Sequence, residues 1–393
     1  MSAPYTGLVA PRTTKVAVLF GGRSGEHEIS VRSAASVVQG LSVEHEVLPV
    51  LVDRRGGWWL QPHTTLGAAE QPGTTLGAAE QPGTALGAGE QSGPGVAEEG
   101  GTPVFLVPSI TDRGVLRRLD DSSAVARPDV YFPVLHGTYG EDGTMQGLLE
   151  LAGVPFVGSG CAASAAGMDK ALMKGLFTAA SLPQAKYVVL LSHQREQAQS
   201  LVAPLGWPVF VKPANLGSSV GVSKVKRPEG LADALDLAFE YDRKVIVEEG
   251  LDAREIEIAV LGNDSPQASI PGEIVPDREF YDYDSKYSAE SRTELRIPAP
   301  IPAGAAREAQ ELGVRSFQAV DASGYARVDF LMDRRTGKMY VNEINTIPGF
   351  TSISMFPKLW DASGIEYDEL LSQLVDLAFE RHRQRRSLRT DYR

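Results

Sequence analysis

The sequence predicts an α/β and α+β protein, with a doubly wound N-terminal domain followed by regions built mainly on antiparallel sheet. Three observations carry this. Strand VAVLF (16–20), turn GGRSGEHE (21–28), helical pattern ISVRSAASVVQGL (29–41) and strand HEVLPVLV (45–52) follow in β-turn-α-β order. WPVFVKPANLGSSVGVSKV (207–225) reads as strand, glycine-serine loop, strand. YARVDFLMD (325–333) leads through the turn RRTGK (334–338) into a strand ending at VNEIN (341–345).

The remaining elements follow in order. DVYFPVLHG (129–137) is a strand and TMQGLLELAG (144–153) a helix, which together complete the first region. MDKALMKGLFTAASLP (168–183) reads as one helix ended by proline, and YVVLL as a strand. GLADALDLAFEYD (230–242) is helical and leads to strand VIVEEGL (245–251). Strand REIEIAVLG, a polar loop through YDYDSKYS, a helix near AAREAQELGVRSFQAV and a terminal helix fill the rest. The basic tail RHRQRRSLR reads as a solvated helix end. Residues 64–93 repeat with period ten, TTLGAAEQPG, TTLGAAEQPG, TALGAGEQSG. Each copy offers one leucine, too little to offset the entropy of ordering it, so the repeat is expected to be a disordered surface loop.

The length of 393 residues allows two or three domains. A net charge of −12 argues against general affinity for nucleic acid or an anionic membrane surface. A single cysteine, Cys161, excludes an intramolecular disulfide and multi-cysteine metal sites. No apolar run approaches a membrane span, and VAVLF is too short for a signal-peptide core. These features point to the cytoplasm.

Side chains alternate along a strand, so Glu343 and Asn345 project together, as do Arg327 and Asp329. If 334–338 form a five-residue hairpin loop, Asp329 falls opposite Glu343 and Arg327 opposite Asn345. Two carboxylates, an amide oxygen and a guanidinium then share one patch, which suits a hard cation beside an anion clamp. Alternating acids also mark ordinary solvated faces. Lys212 ends an apolar strand before ANLGSSVGV, whose glycines and hydroxyls suit backbone N–H groups curling over phosphate oxygens; no Walker A loop occurs. Of Glu248, Glu249, Glu255 and Glu257, a pair could accept hydrogen bonds from ribose hydroxyls. Glu26, in a strand-to-helix turn lacking the G-x-G-x-x-G spacing, is placed to meet an ammonium. His136 stands at a strand's C-terminal end, where open α/β sheets bind ligands, although a lone histidine is as readily structural. GEDGT reads as a plain turn, and FYDYDSKYS (280–288) as a lid or an interaction surface.

In this order, LHGTYGEDGTMQG, MDK, VKPANLGSSVGVSKV, EFYDYDSKY, RVDF and NEINTIPGFT resemble the D-alanine–D-alanine ligases of the ATP-grasp superfamily. The resemblance runs through nearly the whole chain except the decapeptide insertion. It implies three domains: residues 1–157, interrupted by an insertion at about 61–100, then 158–250 and 251–393, the last two gripping ATP between their sheets. It implies that Asp329, Glu343 and Asn345 hold two Mg²⁺ ions, with Mn²⁺ a substitute. It gives Lys170 and Lys212 to the ATP phosphates under the Ser218–Ser219 loop, and Glu248, Glu249, Leu251 and Glu255 to the adenosine. Lys286 would reach the γ-phosphate. Glu26 would bind the first D-alanine's ammonium beside His136, and Tyr287, Ser218 and Glu26 would share a network that shuts the lid. Arg327 and the Gly349 N–H would stabilise an oxyanion, while Ser354 and Met355 hold the second substrate's carboxylate. A homodimer is the family expectation. The nearest alternatives are ligases of the same fold making D-alanyl-D-serine or D-alanyl-D-lactate; the tyrosine-containing lid speaks against D-lactate and leaves D-serine open. Another ATP-grasp carboxylate–amine ligase would leave GEDGTMQG and YDYDSKY unexplained, and a non-catalytic nucleotide-binding regulator would not need Arg327, Lys286 and a metal set.

Overall fold

A computed structural model describes residues 13–62, 101–276, 293–351 and 353–389. The decapeptide repeat, and the loop carrying Lys286 and Tyr287, lie outside the described residues.

The first sheet is centred on β1 (Lys15–Gly21), whose residues Val16 to Phe20 are all fully buried. Such a continuous apolar strand fits a parallel position covered on both faces. It pairs in parallel with β2 (Glu46–Val52) and, further down the chain, with Val130–Pro133. The connection to β2 is helix α1 (His27–Leu41), which buries Ile29, Ala34, Val37, Val38 and Leu41 at helical spacing. Beyond β2 the sheet continues as an antiparallel meander: β3 (Trp58–Leu60), β4 (Thr102–Leu106), β5 (Leu116–Arg118) and β6 (Ala124–Ala126). With Val130–Pro133 as β7, the order is β6-β5-β4-β3-β2-β1-β7. The doubly wound core is thus three parallel strands, and the meander is an extension that the sequence reading did not foresee.

After α2 (Thr144–Ala152) come α3 (Cys161–Met168) and α4 (Lys170–Ala179). The expected single helix over 168–183 is therefore shorter and begins later. Asp169 leaves helical geometry at φ −82° and ψ 102° and caps α4, accepting from the Ala171 and Leu172 N–H groups at 3.0 and 3.1 Å. The second sheet holds β8 (Tyr187–Leu191), β9 (Val209–Pro213), β10 (Ser223–Val225) and β11 (Lys244–Glu249), all antiparallel, in the order β10-β9-β11-β8. It is backed by α5 (Ala198–Val202) and α6 (Leu231–Tyr241), with an apolar cluster of its own.

The third sheet is antiparallel too. β12 (Ala253–Gly262) pairs with β13 (Gln267–Ala268) and β14 (Gly272–Val275); β15 (Glu294–Arg296), β16 (Gly324–Asp333) and β17 (Met339–Asn345) complete the order β15-β14-β12-β16-β17. α7 (Ala303–Ala319) covers one face, and α8 (Met355–Asp361) and α9 (Tyr367–Ser387) carry the chain back to the first sheet. Val16, Val18 and Phe20 of β1 share one apolar cluster with Phe350, Phe356, Leu371 and Leu374. The basic tail is more than a solvated helix end. Arg385 reaches Glu150 of α2 at 2.5 Å, and the Arg381 guanidinium lies 4.1 Å from the Phe156 ring centroid.

Candidate active site

The β16–β17 hairpin brings together the residues that the sequence pattern paired. Asp329 faces Glu343 and Arg327 faces Asn345. The route to that register differs from the expected five-residue loop. Next to the turn Met332 faces Met339, and the Asp333 N–H donates to the Lys338 carbonyl, so the turn is one residue tighter. A bulge, with Asn342 as the extra residue, restores the register between Asp329 and Phe330. The bulge also changes which residues share a face. Val341 and Ile344 are both buried, at 1% and 3% exposure, while Glu343 and Asn345 turn to the opposite side. Strict alternation would have put Val341 beside Glu343.

Arg327 grips Asp329 with two bonds, Nε to Oδ1 at 2.7 Å and Nη2 to Oδ2 at 2.8 Å, and its Nε lies 3.1 Å from Glu257 Oε2. Burial pushes the guanidinium's pKa down, but the charges of Asp329 and Glu257 outweigh it, so the net shift is well upward. Asn345 Nδ2 donates to Asp329 Oδ2 at 3.0 Å.

Lys170, the first residue of α4, donates from Nζ to the Leu216 carbonyl at 2.7 Å and lies 3.8 Å from Glu343 Oε2. It thereby ties the metal-type patch to the glycine-serine loop. Lys212 on β9 donates to Glu248 Oε2 on β11 at 2.7 Å. Burial lowers the Lys212 pKa, yet Glu248, Glu343 and Glu255 raise it further, for a net upward shift. Burial would raise the Glu248 carboxyl, but Lys174 and Lys212 hold it down at about 2. Glu249 is committed to the start of β8, accepting from the Lys186 N–H at 2.8 Å. Leu251 is half-buried just after β11, and Glu255 sits on β12 between Ile274 and Leu331.

The loop between β9 and β10 folds over toward the first sheet. Ser218 and Ser219 adopt positive φ, 51° and 60°, and the Ser218 hydroxyl donates to Glu26 Oε1. Glu26 immediately precedes α1, where helix-end N–H groups face a negative charge favourably. His136 is buried at 6% exposure. Its Nδ1–H donates to the Ile347 carbonyl at 3.0 Å, and Nε2 lies 3.2 Å from Ser33 Oγ. Burial pushes its pKa down, so the ring is a neutral tie between the first sheet and the segment after β17. In that segment Gly349 lies against Ser354: a Cβ there would come within 3.0 Å of Ser354 Oγ. Ser354 Oγ accepts from the Thr351 N–H at 3.1 Å and precedes α8, while the Met355 side chain is buried in the core. Lys286 and Tyr287 lie outside the described residues.

Two site residues escaped sequence reading. Glu141, in the GEDGT turn, accepts from the Gly137 N–H at 3.1 Å. Burial and the neighbouring Glu26 charge push its carboxyl up to about 8. Lys174, one turn beyond Lys170, is 1% exposed and lies 3.2 Å from Glu248 Oε1. The available signal was an i, i+4 lysine pair on a helix whose next apolar positions, Met173 and Phe177, are core.

Two family profiles match the chain: D-ala D-ala ligase N-terminus over residues 15–159 and D-ala D-ala ligase C-terminus over residues 176–376. A D-alanine–D-alanine ligase of Heliobacterium modesticaldum is 48% identical over 96% of this chain and 97% of its own length. One from Thermoanaerobacter sp. (strain X514) is 46% identical over 94% and 98%. Among solved structures, the D-alanine-D-alanine ligase from Coxiella burnetii superposes with a TM-score of 0.79 at 33% identity, covering 96% of this chain and 97% of that one. The VanG D-Ala:D-Ser ligase from Enterococcus faecalis also gives 0.79, at 32% identity over 93% and 100%. With both halves of the chain matched and relatives this similar along nearly its full length, the chain belongs to the D-alanine–D-alanine ligase family.

Proposed function

We propose that the protein joins two D-alanine molecules at the expense of ATP, through a D-alanyl phosphate, to supply the dipeptide for peptidoglycan precursors. The observation that carries this reading is the cross-strand set of Arg327, Asp329, Glu343 and Asn345 in a chain 48% identical to a D-alanine–D-alanine ligase. A carboxylate is a poor electrophile, so the first D-alanine is activated by transfer of the γ-phosphoryl group to its carboxylate oxygen. The second D-alanine, as free amine, attacks that carbon; phosphate leaves and the amine's proton is lost.

The donor chemistry of the hairpin fits Mg²⁺. Two carboxylates and an amide oxygen are hard ligands, and Mg²⁺ ordinarily takes one or two carboxylates and completes its shell with phosphates and water. Asp329, Glu343 and Asn345 would hold two ions, with Mn²⁺ able to substitute, and when bound these neutralise charge on the phosphoryl group.

The chain's own groups do the rest. Lys170 and Lys212 take phosphate oxygens beneath the Ser218–Ser219 loop, with Lys286 on the γ-phosphate, and Glu248, Glu249, Leu251 and Glu255 border the adenosine. Glu26 binds the first ammonium, held in place by Ser218 and by the lid through Tyr287. His136 fixes the floor of that subsite. Arg327 and the Gly349 N–H face the tetrahedral oxyanion, and Ser354 and the Met355 N–H hold the second carboxylate. Closing the lid excludes water, which would hydrolyse the acyl phosphate. The three segments 1–157, 158–250 and 251–393 would form the domains around this cleft, the first and third joined by a shared apolar cluster and the second with one of its own. We further propose a cytoplasmic homodimer.

The test is phosphate release from Mg·ATP with D-alanine alone, L-alanine alone, and D-alanine with D-serine or D-lactate, each product identified by mass. D-alanine alone is expected to give the dipeptide, with L-alanine inert. Turnover only with D-serine or D-lactate would move the specificity, and no turnover with any acceptor would remove the reading.

A further inference from the structure

Glu248 carries two lysines where one would balance it. Its Oε2 accepts from Lys212 Nζ at 2.7 Å, and its Oε1 lies 3.2 Å from Lys174 Nζ. The side chains are closed off from solvent: Lys174 is 1% exposed, Glu248 4% and Lys212 15%. The Lys174 ammonium also stands 5.6 Å from the centroid of the Tyr187 ring, on the strand paired with β11. Each lysine comes from a different element, α4 and β9, and both converge on one carboxylate of β11.

For stability alone this arrangement is wasteful. One buried lysine at contact distance neutralises one buried carboxylate, and a second adds a desolvation cost that only the more distant carboxylates, Glu343 and for Lys212 also Glu255, help to offset. A lysine at each carboxylate oxygen makes sense where an arriving anion draws one of them away. Resting on the reading of Lys212 as a phosphate contact, we propose that Lys174 is a positioning residue of the nucleotide site: it retains the Glu248 carboxylate, so that Lys212 can pass to the nucleotide's phosphates without stranding a buried charge. Lys174 itself touches no substrate. Without it, Lys212 is the one cation among the described residues left in ion-pair contact with Glu248, and phosphate must compete with a buried ion pair for it.

The test is a double-mutant cycle, Lys174→Met and Glu248→Gln singly and together, reading the Mg·ATP Kd by titration calorimetry and the D-alanine KM. Circular dichroism and melting establish that each variant is folded. Lys174→Met is expected to raise the Mg·ATP Kd by about tenfold or more while leaving the D-alanine KM unchanged. In the Glu248→Gln background the same substitution should alter Kd by less than about twofold, since nothing remains for Lys174 to retain. If Lys174→Met does not fold, Lys174→Gln, which keeps a donor toward Glu248, replaces it in the same cycle. Unchanged Mg·ATP affinity in a folded variant overturns the proposal. So does an equal loss in both backgrounds, the signature of plain packing. Failure of the wild-type protein to bind Mg·ATP would instead strike at the ligase reading beneath it.

Discussion

Glu141 and Glu248 are both carboxyls at the cleft, and their surroundings send them in opposite directions. Burial pushes Glu141 up and the charge of Glu26 adds to it, reaching about 8 against an ordinary value of 4.5. The two carboxylates flank the same glycine: a Cβ on Gly217 would sit 3.5 Å from Glu26 Oε2 and 3.9 Å from Glu141 Oε1. Folded Glu141 therefore keeps a proton that the unfolded chain has lost, and its contribution to stability is full below pH 4.5 and lost as pH rises through about 8. Glu248 is the reverse, contributing above 4.5 and losing that contribution as pH falls toward about 2. Glu141→Gln should remove the alkaline decline: its stability relative to wild type rises between about pH 5 and about pH 8, by at most about 1.4 kcal/mol per pH unit. Urea unfolding of both proteins across that range measures it. Parallel profiles would mean that Glu141 ionises normally.

At the scale of elements, the site depends on how α4 begins. Asp169 caps two N–H groups with Oδ1 and uses Oδ2 to hold Lys244 of β11. It is 6% exposed, so its removal leaves Lys244 without this partner as well as fraying the turn that carries Lys170. Asp169→Ala should cost about 3 kcal/mol or more, combining a lost cap with a broken buried pair. Asp169→Asn keeps the cap and should lose less. Denaturant midpoints order the two, and equal losses would mean that the cap contributes nothing. What the sequence revealed here follows from how local each signal is. Glu343 opposite Asp329 was legible because period-two alternation and a glycine turn fix a hairpin register within one residue. The bulge at Asn342 was not, because no local residue announces it; it shows only as Val341 and Ile344 sharing a buried face. α3 (CAASAAGM) was missed for want of an apolar stripe among small residues, and β3, β5 and β6, at three residues each, are too short to show alternation. Glu141 and Lys174 were invisible for a different reason: their burial is made by elements far away in the chain.

At the scale of the molecule, the first and last sheets share a core while the middle sheet keeps its own. Leu371 of α9 is fully buried, and its Cδ1 approaches Gly40 of α1 so closely that a Cβ on that glycine would lie 2.6 Å away. Phe350, ahead of α8, meets Phe132 of β7 edge-on at 6.2 Å and Tyr325 of β16 at 5.4 Å. The cluster of Val209, Val211, Val245 and Val247 contains no residue from either partner sheet. The terminal sheets should therefore open together and the middle one separately, which suits a cleft in which one wall moves to admit a nucleotide. Leu371→Ala leaves a cavity at this junction and should destabilise by about 2–5 kcal/mol. Hydrogen exchange followed by mass spectrometry should show faster exchange in peptides from both β1 and β16, far apart in sequence, with β9 and β11 unchanged. Exchange accelerated in α9 alone would mean that the terminal helix is a patch on the surface rather than a part of the shared core. Acceleration spreading into β9 and β11 would mean that the three sheets unfold as one unit, and the separate motion of the middle sheet would have to be abandoned.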